Sequence, residues 1–154
     1  MTNEPDDTKA DTDADTDAGV GVGEAVFPFE WEARYRPFFV LIGVWPSNSR
    51  VTVGAGRLTA RYGPWTCDTT LDNIREVCVT GPYRGYRAIG ARGSMVDRGL
   101  TFGTTTAGGV CLLFHEPVTG LDPFGRMRHP GLTVTVADRD RLVASLSRRG
   151  TAPR

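Results

Sequence analysis

The sequence predicts a mainly β domain of the α+β kind: a strongly bent antiparallel sheet or barrel of about seven strands, closed by one C-terminal helix. Three observations predict it. Between residues 51 and 80, short alternating runs are cut by Gly54-Ala55-Gly56, Gly63-Pro64 and Asp72-Asn73, which is the punctuation of an antiparallel meander. Upstream, Phe27, Phe29, Trp31, Ala33 and Tyr35 alternate with Pro28, Glu30, Glu32, Arg34 and Arg36. A period of two with one aromatic face describes a sheet with one side on a core. Only 139–149 carries the marks of an amphipathic helix.

Taken in order, residues 1–24 contain no Ile, Leu, Phe, Tyr or Trp. They hold Glu4, Asp6, Asp7, Asp11, Asp13, Asp15, Asp17 and Glu24. Such a segment cannot bury enough apolar surface to offset the entropy of ordering it, so a disordered acidic tail is expected. The folded domain is expected over 25–150, with 151–154 a disordered end. Within the tail, Asp13, Asp15, Asp17 and Glu24 sit at calcium-loop spacing, but Ala18 stands where the sharp turn needs glycine. Gly19-Val-Gly-Val-Gly23 follows no strand and reads as a linker.

The first strand is expected over 27–36, with Pro28 at an edge or strand start. Residues 38–42, Phe-Phe-Val-Leu-Ile, are apolar without alternation; a helical turn and a buried strand both fit, and we read a connector packed across one end of the sheet. Trp45 to Ser49 is a loop. Strands follow near 50–54, 57–62, 65–71 and 75–80. Residues 81–87 form a long turn, 88–89 a short strand, and 91–98 a polar, glycine-containing stretch. Further strands are expected at 100–104, at 110–115 (buried on both faces) and at 132–136, with a long loop over 116–130. The helix 139–149 has Asp138 as N-cap, Asp140 in its first turn and Arg148 and Arg149 in its last. Leu142, Val143 and Leu146 form its apolar stripe, and Gly150 fits the C′ position.

The formal net charge of zero hides an asymmetry. The tail has eight acids and one base, Lys9, giving −7; residues 25–154 have 17 arginines and ten acids, giving +7. An acidic arm is tethered to a basic body. The absence of lysine from the body and of glutamine from the whole chain reads as codon composition. Cys67, Cys78 and Cys111 are odd in number, form no CxxC and sit in apolar or alternating runs. That pattern points to a reducing compartment and no disulfide framework. With no secretory leader pattern and no apolar run near the ~20 residues a span needs, a cytoplasmic protein is expected, free or peripheral to the membrane, with no transmembrane segment.

Few residues point to chemistry. His115 and His129 have no cysteine or carboxylate at ligand spacing, so no metal and no cofactor is expected. There is no GxSxG, and Ser94 has no base beside it. No catalytic residue is assigned. The remaining constellation is Tyr83, Arg84, Tyr86, Arg87, Arg92 and Arg98, on a glycine-rich segment. Guanidiniums and phenols so placed can grip phosphate or stack on bases, and they are the candidate binding residues for an anion or a partner.

The ending Leu132-Thr-Val-Thr-Val-Ala-Asp138-Arg-Asp-Arg-Leu-Val-Ala-Ser-Leu146 resembles that of bacterial pleckstrin-homology-like (PH-like) domains. There a last strand passes through an acidic N-cap into a helix that closes one barrel end. Tyr62-Gly-Pro-Trp65, Leu71-Asp-Asn-Ile74, Thr80-Gly-Pro-Tyr83, and Gly120 to Phe124 through His129-Pro-Gly-Leu132 also look like an uncharacterised bacterial family of small proteins. The resemblance spans 27–149 and implies a fold but no catalytic residue. The basic motif of eukaryotic relatives lies in the first hairpin, where this chain has only Arg50 and Arg57 beside the turn. The expected function is a non-catalytic binding or scaffolding module whose partner is a protein or anionic lipid headgroups. Two alternatives remain: a small enzyme with a site at the barrel mouth and His115 or His129 as base, and single-stranded nucleic-acid binding on the arginine–tyrosine segment. Sequence-specific DNA reading is not expected, because no helix carries a basic patch.

Overall fold

A computed structural model describes residues 23–84, 88–93, 98–122 and 124–148. The fold is mainly β, built from two sheets. The first is an antiparallel meander in the order β1 (Ala25–Pro28), β2 (Ser49–Gly54), β3 (Arg57–Tyr62) and β4 (Trp65–Thr70). Its punctuation is where the sequence places it. Ala55 and Gly56 both have positive φ in the β2–β3 turn, and Gly63 has φ +56° in the β3–β4 turn. Val51, Val53, Leu58, Ala60, Tyr62 and Cys67 alternate into the core.

The second sheet has the order β5-β8-β9-β7-β6. Its strands are β5 (Ile74–Thr80), β6 (Gly90–Gly93), β7 (Leu100–Gly103), β8 (Gly109–Thr119) and β9 (Arg128–Val134). All its pairs are antiparallel except β7 with β9, which are parallel. The two sheets face each other and do not close into a barrel. They meet along one side, where Phe29 bridges Val136 and the Glu30 N–H donates to the Thr135 carbonyl at 2.9 Å.

Tyr62 fastens the sheets through the core. It is fully buried, its ring stacks on Phe102 at 5.1 Å and meets Phe29 edge-on at 5.4 Å, and its hydroxyl donates to the Gly103 carbonyl at 2.7 Å. Gly103 has no room for a side chain, because a Cβ there would run into the Ala88 carbonyl.

The C-terminal helix α2 (Arg139–Ser147) starts at the predicted N-cap, where the Asp138 carboxylate accepts the Arg141 N–H at 3.0 Å, and ends two residues earlier than the expected 149. Leu142 and Leu146 are buried, Val143 is half-buried, and the helix packs on β5 and β8. The expected C′ residue Gly150 lies outside the described residues, as do the tail before residue 23 and the end after 148.

Several expectations are corrected. Nine strands are described in place of about seven. The strand expected over 27–36 ends at Pro28: beyond the Phe29 bridge the chain leaves the first sheet, and Trp31 and Tyr35 pack edge-on against Phe39 at 5.2 and 6.5 Å. The loop expected over 116–130 is shorter, because β8 runs to Thr119 and β9 starts at Arg128. Its tip is held by the Asp122 carboxylate, which accepts the N–H groups of Phe124 at 2.8 Å and Arg126 at 2.7 Å; these bonds lower its pKa. The strand expected at 88–89 starts two residues later as β6.

Candidate functional site

The apolar segment for which a helical turn and a buried strand both fit is a helix, α1 (Arg36–Leu41). Pro37 occupies its first turn, where a missing N–H costs nothing. Gly43, at φ +76°, ends it. The Gly43 N–H donates to the Val40 carbonyl at 3.2 Å and the Val44 N–H to the Phe39 carbonyl at 2.8 Å. Those two bonds are the Schellman C-terminal pattern, completed by the buried apolar pair Phe39 and Val44. Pro37 and Gly43 were therefore readable as start and stop signals.

What sequence could not show is which way α1 faces. Phe39 is 1% exposed and anchors the helix, whereas Phe38 is 42%, Val40 64% and Leu41 83% exposed. Trp45, just beyond, is 43% exposed. The core is already filled from the strands, so this apolar set is presented outward. Exposed apolar residues grouped in this way mark interaction surfaces.

The helix is a ridge between two hollows. One, of about 600 Å³, has Phe38, Trp65, Ile89 and Arg92 in its lining; the other, of about 310 Å³, has Phe39, Val40, Trp45 and Arg36. Among the described residues each hollow has one arginine and no carboxylate in its wall. Arg34 adds a third guanidinium, lying over the Tyr35 ring at 4.7 Å. The nearby acid is Glu32, held by Arg34 at 3.3 Å and by the Thr106 hydroxyl at 2.9 Å. The surface is apolar at its centre and cationic at its rim.

The next hollow, about 370 Å³, lies on the outer face of the first sheet beside Gly63 and Pro64, with Arg50, Arg61 and Thr66 in its wall. It adjoins the second of the two hollows beside α1, because Gly63 packs against Val44, which lines that hollow. A Cβ at Gly63 would come within 2.6 Å of Val44 Cγ2 and 2.7 Å of the Gly43 carbonyl oxygen.

Among the described residues, the predicted arginine–tyrosine constellation is spread over separate elements. Tyr83 follows β5, where its N–H donates to the Thr106 carbonyl at 2.8 Å and its hydroxyl bonds Thr80. Burial raises the pKa of its phenol. Arg84 is exposed beside it. Arg92 lies on β6 and Arg98 precedes β7. β5 and β6 are opposite edges of the five-stranded sheet, roughly 19 Å apart at four strand spacings. Tyr86 and Arg87 lie outside the described residues. Of the six, Arg92 belongs to the α1 surface.

The two histidines are apart. His115 is exposed on β8, while His129 is buried on β9, its Nδ1 bonded to the Arg98 carbonyl at 2.8 Å. Neither lines any of the three hollows. Among the described residues, no group of three or more His, Cys, Asp or Glu could hold a metal ion, and no helix is long and apolar enough to cross a membrane. Cys67 is buried, Cys78 and Cys111 are half-buried, and none is in a disulfide.

No protein-family model, no curated protein and no solved structure matches the chain.

Proposed function

We propose that the chain is a non-catalytic binding module of PH-like plan that docks on an anionic lipid surface through α1. One observation carries the reading: Phe38, Val40, Leu41 and Trp45 are exposed together, with Arg36 and Arg92 in the walls of the flanking hollows and Arg34 paired with Glu32 beside them. An apolar centre with a cationic rim suits the boundary between headgroups and acyl chains, where side chains such as tryptophan and arginine each have an apolar body and a polar tip. Each arginine near an anionic surface contributes about 1 kcal/mol, screened by salt. A protein partner would be matched equally well by the apolar centre alone; the net positive charge that Arg36 and Arg92 add beyond the Arg34–Glu32 pair favours lipid.

The PH-like part of the reading is supported by the plan of the fold. A four-stranded meander is followed by the antiparallel set β5, β8, β9 and then α2, with the β6–β7 hairpin inserted between β5 and β8. A meander followed by further strands and one closing helix is the plan that the PH-like resemblance implies, with α1 and the β6–β7 pair as additions to it.

Co-sedimentation with vesicles tests the reading. The protein is expected to pellet with phosphatidylcholine vesicles containing phosphatidylglycerol, to stay in solution with phosphatidylcholine alone, and to dissociate as salt is raised. Equal binding to both vesicle types, or to neither, contradicts it.

A further inference from the structure

We infer that Arg50 and Arg61 form a subsite for a phosphate monoester dianion on the outer face of the first sheet. The inference extends the membrane reading to headgroup chemistry and rests on it for the source of the ligand.

The register makes the argument. Arg50 on β2 lies directly opposite Arg61 on β3, and both are exposed on the same face. Like charges directly opposite on neighbouring strands repel. The same face shows how such a charge is ordinarily balanced: Arg57 is paired with Asp68 on β4, and the Thr59 hydroxyl donates to Asp68 at 2.8 Å. Arg50 and Arg61 have no such counterion among the described residues, and Asp68 is already engaged. Two facing guanidiniums offer two positive charges and paired N–H forks, which match the charge and the oxygens of a dianion.

The surroundings fit as well. The hollow of about 370 Å³ between them is walled by Thr52 and Thr66, whose hydroxyls make no hydrogen bond among the described residues. Thr66 is the register partner of Arg61. The position matters too. The subsite is at the opposite end of β2 and β3 from the Ala55–Gly56 turn, and it shares Gly63 with the seat of α1. A lipid phosphate bound there would lie beside the acyl-chain contact made by Leu41 and Trp45.

Arg50→Gln/Arg61→Gln, made as a double variant of the full chain, tests the inference in two arms. The substitutions relieve repulsion on an exposed face, so the variant is expected to fold with a melting temperature no lower than the wild type. In solution, inorganic phosphate at constant ionic strength is expected to raise the melting temperature of the wild type and not that of the variant. On vesicles of matched surface charge, the wild type is expected to prefer phosphatidic acid, a monoester, over phosphatidylglycerol by about tenfold, the order expected for charge-assisted hydrogen bonds to one phosphate. The variant loses that preference, and its phosphatidylglycerol binding weakens by no more than about tenfold per arginine removed, the non-specific share of each charge. If the wild type binds no vesicles but phosphate still protects it alone, the membrane reading fails and the subsite stands for a soluble monoester. If phosphate protects both proteins equally or neither, or if the variant keeps the phosphatidic acid preference, the inference is overturned.

Discussion

Val40→Asp/Leu41→Asp lowers affinity for phosphatidylglycerol-containing vesicles by about a hundredfold or more, with little change in stability. Stability is preserved because the two side chains are 64% and 83% exposed and contribute little to the core. Surface substitutions of that kind usually stay within about ±0.5 kcal/mol. Binding is lost because each side chain contributes ~1.5–3 kcal/mol when fully withdrawn from water, and partial insertion of both yields about 3 kcal/mol. The new carboxylates also face a surface of their own sign. Vesicle titration followed by tryptophan fluorescence measures the loss, and thermal melting confirms the fold. Unchanged affinity in a folded variant places the contact elsewhere.

Tyr62→Ala unfolds the domain or brings it to the edge of unfolding. Removing a large aromatic from a filled core costs ~3–5 kcal/mol, against total stabilities of about 5–15 kcal/mol. Here the loss falls on the joint between the sheets, since the ring touches Phe29 and Phe102 and the hydroxyl holds the Gly103 carbonyl. Tyr62→Phe keeps the ring and strands that carbonyl, costing about 1–3 kcal/mol. Denaturant unfolding distinguishes the two, and a Tyr62→Ala variant as stable as Tyr62→Phe would show that the stack does not join the sheets.

The same joint has a pH signature. Burial pushes the Cys67 thiol up to about 12 from an ordinary value of 9.0, with the charge of Asp68 adding to the effect. Burial also raises the Tyr62 phenol above its ordinary value of 10.0. Both groups are neutral in the fold, so the unfolded chain releases their protons first as pH rises. Stability from Cys67 is complete below pH 9.0 and falls between there and about 12. The slope is about 1.4 kcal/mol per pH unit for each group in its window. Cys67→Ala is expected to flatten the first part of that alkaline decline.

The meander was legible because each of its strands alternates and each turn carries its own chemistry, from Ala55-Gly56 to Gly63-Pro64. Helix α2 was legible from Asp138 and the spacing of Leu142 and Leu146. The parallel pairing of β7 with β9 was not, because parallel neighbours are set by the tertiary path and leave no local signature. Strand β6, Gly-Ala-Arg-Gly, has too few apolar residues to read as a strand until β7 pairs with it. The alternation from Phe27 to Tyr35 misled for a different reason. Trp31 and Tyr35 also lie four residues apart, as do Tyr35 and Phe39, and the latter spacing serves the helical turn that both rings pack against.

The site was harder to read than the fold. Tyr83 and Arg92 are close in sequence, but Tyr83 follows β5 and Arg92 lies on β6, the opposite edge strand of the second sheet. Conversely, Leu41 and Trp45 fall in stretches that the sequence marks only as an apolar connector and a loop. Their role follows from burial, which depends on Phe39 alone turning inward. Arg50 and Arg61 are eleven positions apart and face each other only through the β2–β3 register.

Hydrogen exchange followed by mass spectrometry, with and without phosphatidylglycerol-containing vesicles, tests the central claim most directly. Residues 36–48 are expected to gain protection on adding vesicles, while α2 and the β5 edge exchange at unchanged rates. Protection gained at α2 or β5, with 36–48 unaffected, would contradict docking through α1.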